Sequence, residues 1–166
     1  GMGRIGQKIG KVAKSLGMVI HYHNRSKLDS GKENGAIYHK TLESLMSVSD
    51  VLSVCCPASK ETINLINRKT ISLLPNGAIV TNVARGDIVD DDALIEALDS
   101  KKVSAVGLDV YKNEPKLNPG YLKHSRAFVL PHLGSATFET RTAMANLAID
   151  NISEFFETGS CKNKVN

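Results

Sequence analysis

Gly1-Met2-Gly3-Arg4-Ile5-Gly6-Gln7-Lys8-Ile9-Gly10 opens the chain, and the reading of its first six residues decides the fold. Gly-x-Gly-x-x-Gly at the mouth of a helix is a phosphate-binding pattern. The first glycine permits a tight turn, the second lets a pyrophosphate approach the backbone, and the third lets helix and sheet pack closely. Unpaired N–H groups at the helix N-terminus supply the donors. Behind the pattern, Ile5, Ile9, Val12, Ala13 and Leu16 recur at helical spacing, and Gly17 suits a C-cap. Met18-Val19-Ile20-His21-Tyr22 then reads as a strand. Alone the pattern is weak, because a flexible terminus carries the same glycines. It ordinarily follows a strand, and in this sequence nothing precedes it. Gly1-Met2 also reads as a cleavage scar before an initiator methionine, so the sequence is expected to come from an incomplete gene.

Outward from that stretch, strands and helices alternate. Asn24 to Gly35 is a polar connection, Ala36 to Tyr38 a short strand, and Thr41 to Ser47 a short helix faced by Leu42, Leu45 and Met46. Val51 to Cys55 is a strand stopped by Pro57. Asn67 to Leu74 is a helical turn or two stopped by Pro75, and Gly77 to Val83 is a strand. Asp90, Asp91 and Asp92 open a helix through Leu98, at the end where the dipole favours acids. Val103 to Val110 and Ala127 to Leu130 are strands separated by a loop over Asn113 to Lys123. Phe138 to Phe156 is one long helix with Ala143, Leu147, Ile152, Phe155 and Phe156 at helical spacing. This alternation predicts an α/β fold, a doubly wound, mostly parallel sheet of Rossmann type. It is expected to lack its first strand and to carry a long C-terminal helix.

A length of 166 residues holds one domain, and 42% hydrophobic with 23% charged residues excludes a disordered chain. No apolar run is long enough to span a bilayer, and Gly1 to Lys11 has no signal-peptide core. Three cysteines, two of them the adjacent Cys55 and Cys56, form no disulfide framework and read as reduced cytoplasmic thiols. The net charge of +4 comes from scattered residues, as Lys8, Lys11, Lys14, Lys27, Lys32 and Lys40, with aromatics at only 5%. That argues against a nucleic-acid partner and for a solvated surface that attracts anionic metabolites.

Three further segments carry chemistry: Asn82-Val83-Ala84-Arg85-Gly86-Asp87-Ile88-Val89-Asp90, Gly107-Leu108-Asp109-Val110-Tyr111-Lys112-Asn113-Glu114-Pro115, and Leu130-Pro131-His132-Leu133-Gly134-Ser135-Ala136-Thr137. Arg85, Glu114 and His132 each fall at or just after the carboxyl end of a predicted strand, where open parallel sheets place ligands. Arginine pairs bidentately with a carboxylate and polarises a neighbouring carbonyl. Histidine exchanges protons near neutrality, and a carboxylate beside it raises its pKa. Singly, Arg85 reads as a surface ion pair, Glu114 as a solvated loop residue, His132 as a turn histidine and Asp109 as a strand-end cap. Together they suit ketone reduction. His21, His23, His39 and His124 form no metal-ligand spacing and read as structural or exposed, and no metal is expected.

With the glycine pattern ahead of them, in this order and spacing, these segments resemble the D-isomer-specific 2-hydroxyacid dehydrogenases over essentially the whole chain. Within that family the sequence is most similar to glyoxylate/hydroxypyruvate reductases, also called D-glycerate dehydrogenases. The resemblance implies NAD(P)H-dependent reduction of a small 2-keto acid, with Arg85, Glu114 and His132 catalytic. It implies cofactor contacts from Gly3, Arg4, Ile5, Cys56, Pro57, Thr62, Val83, Ala84, Asp109, His132 and Gly134, with Cys55-Cys56 lining the adenosine side. Where an NAD site has an acid after the second strand, this chain has Asn24-Arg25-Ser26, and no acid follows until Asp29. Arg25 attracts a 2′-phosphate and Asn24 and Ser26 donate to it, so NADP is expected in preference to NAD.

Family members have a second domain, made of an N-terminal segment and the C-terminal tail, with the substrate between the domains. Residues 1–137 are therefore expected to be an incomplete NAD(P)-binding domain and 138–166 to belong with the substrate domain. The fragment itself is expected to be poorly active. Its unpaired strands and sticky last helix are expected to make it dimerise, swap elements or close the gap by rearrangement, leaving a malformed phosphate loop. The competing reading is a non-catalytic, corepressor-like dinucleotide-binding protein of the same fold.

Overall fold

Local sequence signals place most elements where the pattern predicts them. The computed structural model describes residues 1–165. In chain order the elements are α1 (Arg4–Ser15), β1 (His21–Tyr22), α2 (Ser30–Glu33), β2 (Ile37–Tyr38), α3 (Leu42–Met46) and β3 (Val51–Val54). Then come α4 (Arg68–Ser72), β4 (Ala78–Asn82), α5 (Asp91–Asp99), β5 (Val103–Leu108), β6 (Ala127–Val129) and α6 (Phe138–Thr158). Side-chain caps set several starts. Thr41 accepts from the Ser44 N–H, Asn67 from those of Lys69 and Thr70, and Asp90 from that of Ala93.

Strands β3, β4, β5 and β6 form one parallel sheet in that order. Its core is contiguous: Val80, Ile88 and Val103 are fully buried together with Leu94 and Leu98 of α5, and Leu45 and Met46 of α3 and Ile71 of α4 join them. Tyr121, on a short 3-10 turn within the predicted 113–123 loop, closes that core and donates its hydroxyl to Asp91 at 2.8 Å. Desolvation raises the Asp91 pKa, partly opposed by this hydrogen bond.

Strands β1 and β2 form a separate parallel pair. Their core is small: Met2, Tyr22 and Ala36. Tyr22 ties it by donating to Glu33 Oε1 at 2.6 Å and accepting from the Leu28 N–H at 3.0 Å. Here the structure corrects two expectations. Only His21 and Tyr22 of the predicted strand from Met18 join a ladder, because β2 offers two residues of pairing. The polar connection Asn24 to Gly35 contains α2. The helical spacing read for α1 holds; of its apolar positions Ile9 and Ala13 are half-buried, Ile5, Val12 and Leu16 are 62%, 61% and 77% exposed, and Gly6 is the helix's buried residue.

The gap between the two sheets is not closed by rearrangement. β1 and β3 do not pair, and a cavity of about 160 Å³ lies between them, lined by Gly6 and Gly10 of α1, His21 and His23, and Val51 and Ser53. The bonds from Ile37 N to Ile20 O and from His39 N to Tyr22 O turn those backbone groups towards β2. Alternation turns the groups of Val19, His21 and His23 the other way. The Gly1 nitrogen donates to His23 O at 3.0 Å on that side.

The chain divides into two compact units, Gly1–Pro131 and the segment from His132 onward. In the second, the Thr137 side chain caps α6 and Gly159, at φ 76°, ends it. No α6 residue is buried; Phe138, Ile149, Ile152 and Phe156 share one face and are each more than half exposed.

Candidate functional site

The glycine turn is well formed, contrary to the expected malformation. A Cβ on Gly6 would overlap Gly1 O, and one on Gly1 would lie 2.5 Å from Cys56 N, so the turn and the β3 end close on each other only as glycine. At Gly3 a Cβ would meet nothing within 4 Å: this is open space against the backbone. Gly3 is also the N-cap of α1 and brings no side-chain acceptor to the first N–H groups of the helix. Exposed donors beside an open glycine fit a pyrophosphate.

Two bonds fix the turn to the β1 end. Besides the rung from Gly1 to His23, the Met2 N–H donates to Asn24 Oδ1 at 2.7 Å. That bond orients the carboxamide, because an N–H can meet only the oxygen; the donor Nδ2 is left for the site. Asn24 is thus a tie as well as a candidate phosphate donor. Arg25 and Ser26 are exposed beside it. The first acid, Asp29, is paired with Lys32 at 3.0 Å. Across the site, Glu61 is held below the usual carboxylate range by a hydrogen bond from Ser59 and, more weakly, by the charge of Arg25.

Thr62 braces the Pro57–Thr62 loop. Its hydroxyl donates to Pro57 O at 2.9 Å and accepts from the Ser59 N–H at 2.7 Å. Cys56 is half-buried, and desolvation pushes its thiol up, away from nucleophilic use.

At the carboxyl end of β4 the buried Asn82 shapes the next turn. Its Nδ2 donates to Arg85 O at 2.9 Å and its Oδ1 accepts from the Ala84 N–H at 3.0 Å. The Arg85 guanidinium, exposed, also donates to Ala84 O at 2.6 Å. A Cβ on Gly86 would overlap the Tyr111 carbonyl, so this glycine seats the Arg85 turn against the loop after β5. In that loop Glu114 accepts from the Tyr111 N–H at 3.1 Å, and the half-buried Asp109 donates its N–H to Asn82 O at 3.0 Å. Sequence reasoning missed Asn82 and Gly86 as site-shaping residues. Both stand in the quoted segment, but nothing local shows that one is buried and the other jammed against a distant loop. His132 opens the second unit with a left-handed φ of 55°, and the Ala136 N–H donates to Leu133 O just beyond Gly134.

The other histidines are not independent. His21 Nδ1 and His39 Nε2 are 2.8 Å apart, His39 Nδ1 meets Ser44 Oγ at 3.0 Å, and His23 Nδ1 meets His39 O at 2.9 Å. Desolvation first, then the charges of His21 and His23, lower the His39 pKa. Among the described residues no three histidine, cysteine or acidic side chains are placed to hold a metal ion, and no helix is long and apolar enough to cross a membrane.

Residues 1–134 match the family described as D-isomer specific 2-hydroxyacid dehydrogenase, NAD binding domain. The chain is 40% identical over 159 residues to 4-methyl-2-oxopentanoate reductase A of Aspergillus oryzae, covering 96% of this chain and 48% of that protein. Among solved structures it resembles a glyoxylate reductase from Paecilomyes thermophila, with TM-score 0.94 and 41% identity over 99% of this chain and 50% of that one. It also resembles an NADPH-dependent glyoxylate/hydroxypyruvate reductase from Sinorhizobium meliloti in complex with NADP and malonate, with TM-score 0.93 and 35% identity over 98% of this chain and 50% of that one. The chain spans about half the length of the relatives it matches.

Proposed function

The chain belongs to the D-isomer specific 2-hydroxyacid dehydrogenase family, and from that premise we propose that it is the dinucleotide-binding part of an enzyme reducing glyoxylate or hydroxypyruvate to the D-2-hydroxy acid with NADPH. Arg85 holds the carboxylate of the 2-keto acid and polarises the adjacent carbonyl. The reduced nicotinamide, when bound, supplies the hydride. His132 donates the proton to the carbonyl oxygen, which becomes the hydroxyl, and Glu114 is the carboxylate assigned to raise the pKa of that imidazole. Gly3 and the N–H groups of Arg4 and Ile5 receive the pyrophosphate. Cys56, Pro57 and Thr62 border the adenosine side, and Val83, Ala84, Asp109 and Gly134 the nicotinamide side. Arg25, with Ser26 and the Asn24 amide, reads the 2′-phosphate.

The observation that carries this reading is the Asn82 bracket, which presents Arg85 at the carboxyl end of a parallel strand. Substrate size is not read from it: relatives include reductases of 2-ketogluconate and of 4-methyl-2-oxopentanoate. The experiment is NADPH oxidation by the full-length protein offered glyoxylate, hydroxypyruvate and 4-methyl-2-oxopentanoate. Turnover of either small acid with the greatest kcat/KM supports the reading. Preference for the branched acid overturns the substrate, and no turnover with any overturns the activity.

Three further assignments belong to the proposal. Residues 138–166 go with a substrate domain, for which the exposed face of α6 is a fitting partner. The protein is a homodimer, which light scattering on the full-length protein tests. Its three free cysteines suit the cytoplasm.

A further inference from the structure

The cations that are scattered in the sequence are gathered in space. A cavity of about 410 Å³ runs beside α1 and is bordered by Arg4, Lys8, Lys11 and Lys14 of that helix and by Lys32 of α2. Spacings of four, three and three residues put the four α1 cations on one side of the helix. Nothing within α1 offsets them, since the helix contains no acid. Like charges at these spacings destabilise a helix, and Arg4 stands in the first turn, at the positive end of the dipole. The acids close by are already engaged: Asp29 pairs with Lys32 at 3.0 Å, and Glu33 accepts from Tyr22 and lies 3.8 Å from Lys27. Lys14 is held in place by donating to Asn34 O at 2.7 Å. Between the cations the lining is mixed: Ile20 and the buried Met2 and Ala36 are apolar, Gln7 and Asn34 are polar, and Glu33 is the one acid, its carboxylate engaged by Tyr22.

We propose that this cavity binds a small organic polyanion of the nucleoside diphosphate class, at a site that adjoins the dinucleotide turn through Met2 and Arg4. The cationic border matches the phosphates, the apolar part of the lining, Met2, Ile20 and Ala36, matches the face of a base, and the volume lies within the usual range for small-molecule sites, about 300–1,000 Å³. An anion there removes the mutual repulsion that the folded chain leaves unbalanced. The site is distinct from the 2′-phosphate reader, because Asn24, Arg25, Ser26, Cys56 and Pro57 contribute nothing to its lining. Met2 and Arg4 connect the two, so a ligand in the cavity touches the same helix start that receives the pyrophosphate.

The test is an ADP titration of the chain at near-physiological salt, with NADPH present in saturating amount and backbone amide shifts as the readout. Saturable shifts at Lys8, Lys11, Lys32 and Ala36 are expected. The K8Q/K11Q variant, in which glutamine keeps helix propensity, should lose ADP affinity about tenfold or more, the usual effect of removing charge-assisted contacts. K32Q, on a different element, should weaken ADP independently. NADPH affinity should be unchanged in both, and circular dichroism checks the fold. Shifts confined to Gly3, Asn24 and Arg25, displaced by NADPH, overturn the proposal by assigning ADP to the cofactor turn. Binding that is matched by inorganic sulfate and lost on adding salt overturns it as an adventitious ion only.

Discussion

The two sheets of the first unit follow the same strand–helix–strand grammar and are held together in opposite ways. The four-stranded sheet buries a continuous apolar core under α3, α4 and α5. The β1–β2 pair buries Met2, Tyr22 and Ala36 and is otherwise fastened by polar ties: Tyr22 to Glu33, Asn24 to Met2, His21 to His39. The same division runs through the chemistry. Arg85 and Glu114, proposed as catalytic, stand in the turns that follow β4 and β5 of the well-packed sheet, a rigid support for positioned groups. The residues assigned to choose the cofactor stand on the thin one, where a few surface contacts suffice. Stability should therefore respond to the large sheet, and the proposed cofactor choice to the small one.

The largest effect expected concerns turnover in the full-length protein. His132→Ala should lower kcat about 10²–10⁴-fold, the usual worth of a positioned general acid, while leaving NADPH affinity intact. Arg85→Ala should mainly lower kcat/KM. Steady-state kinetics with fluorescence titration of NADPH separates the two; near-normal turnover in His132→Ala removes the assignment.

Next comes stability. Leu94→Ala, in the fully buried core of the large sheet, should cost about 2–5 kcal/mol. Tyr22→Phe, equally deep in the small core, deletes a hydroxyl but no volume and should cost about 1–3 kcal/mol. Urea unfolding of both variants measures the contrast, and equal losses would mean that the two sheets are not built differently.

Cofactor choice should change by a comparable but selective amount. Arg25→Ala should weaken NADPH by about 1.5–3 kcal/mol, the worth of a charge-assisted bond, and leave NADH nearly as before. Equal losses for both cofactors would show that Arg25 does not read the phosphate.

The smallest effect is a pH dependence confined to the small sheet. Burial and the neighbouring His21 and His23 depress the His39 pKa below its ordinary 6.5. The unfolded chain therefore binds a proton there at a higher pH than the folded one. Below about pH 6.5 the unfolded state holds more protons, and stability falls as pH drops towards the folded value. Amide exchange at Tyr22 and His39 should quicken between pH 7 and pH 5, after correction for intrinsic rates, while exchange at Val80 and Val106 does not. His39→Asn should abolish the difference.

Much of this was legible in the residues. The glycines of the turn, the Asp90 cap, the apolar runs of β3 to β5 and the period of α6 are local signals, set by steric freedom, hydrogen bonding and side-chain spacing within a few residues. They determined the α/β class and the order of elements, and the three quoted segments marked Arg85 and Glu114 as candidates. Tertiary structure decided what depends on partners far along the chain. Met18 and Val19 stay outside the ladder because β2 reaches no further than the bond from Ile37 N to Ile20 O. Ile5, Val12 and Leu16 remain exposed because an apolar stripe is buried only when something covers it. Asn82 and Gly86 shape the Arg85 turn because the loop at Tyr111 comes against it, and five separate cations share one cavity because the fold brings Lys32 of α2 to the border of the space beside α1. Local propensity acts over one turn of chain; burial, close approach and charge density depend on distance in space, which the order of residues does not state.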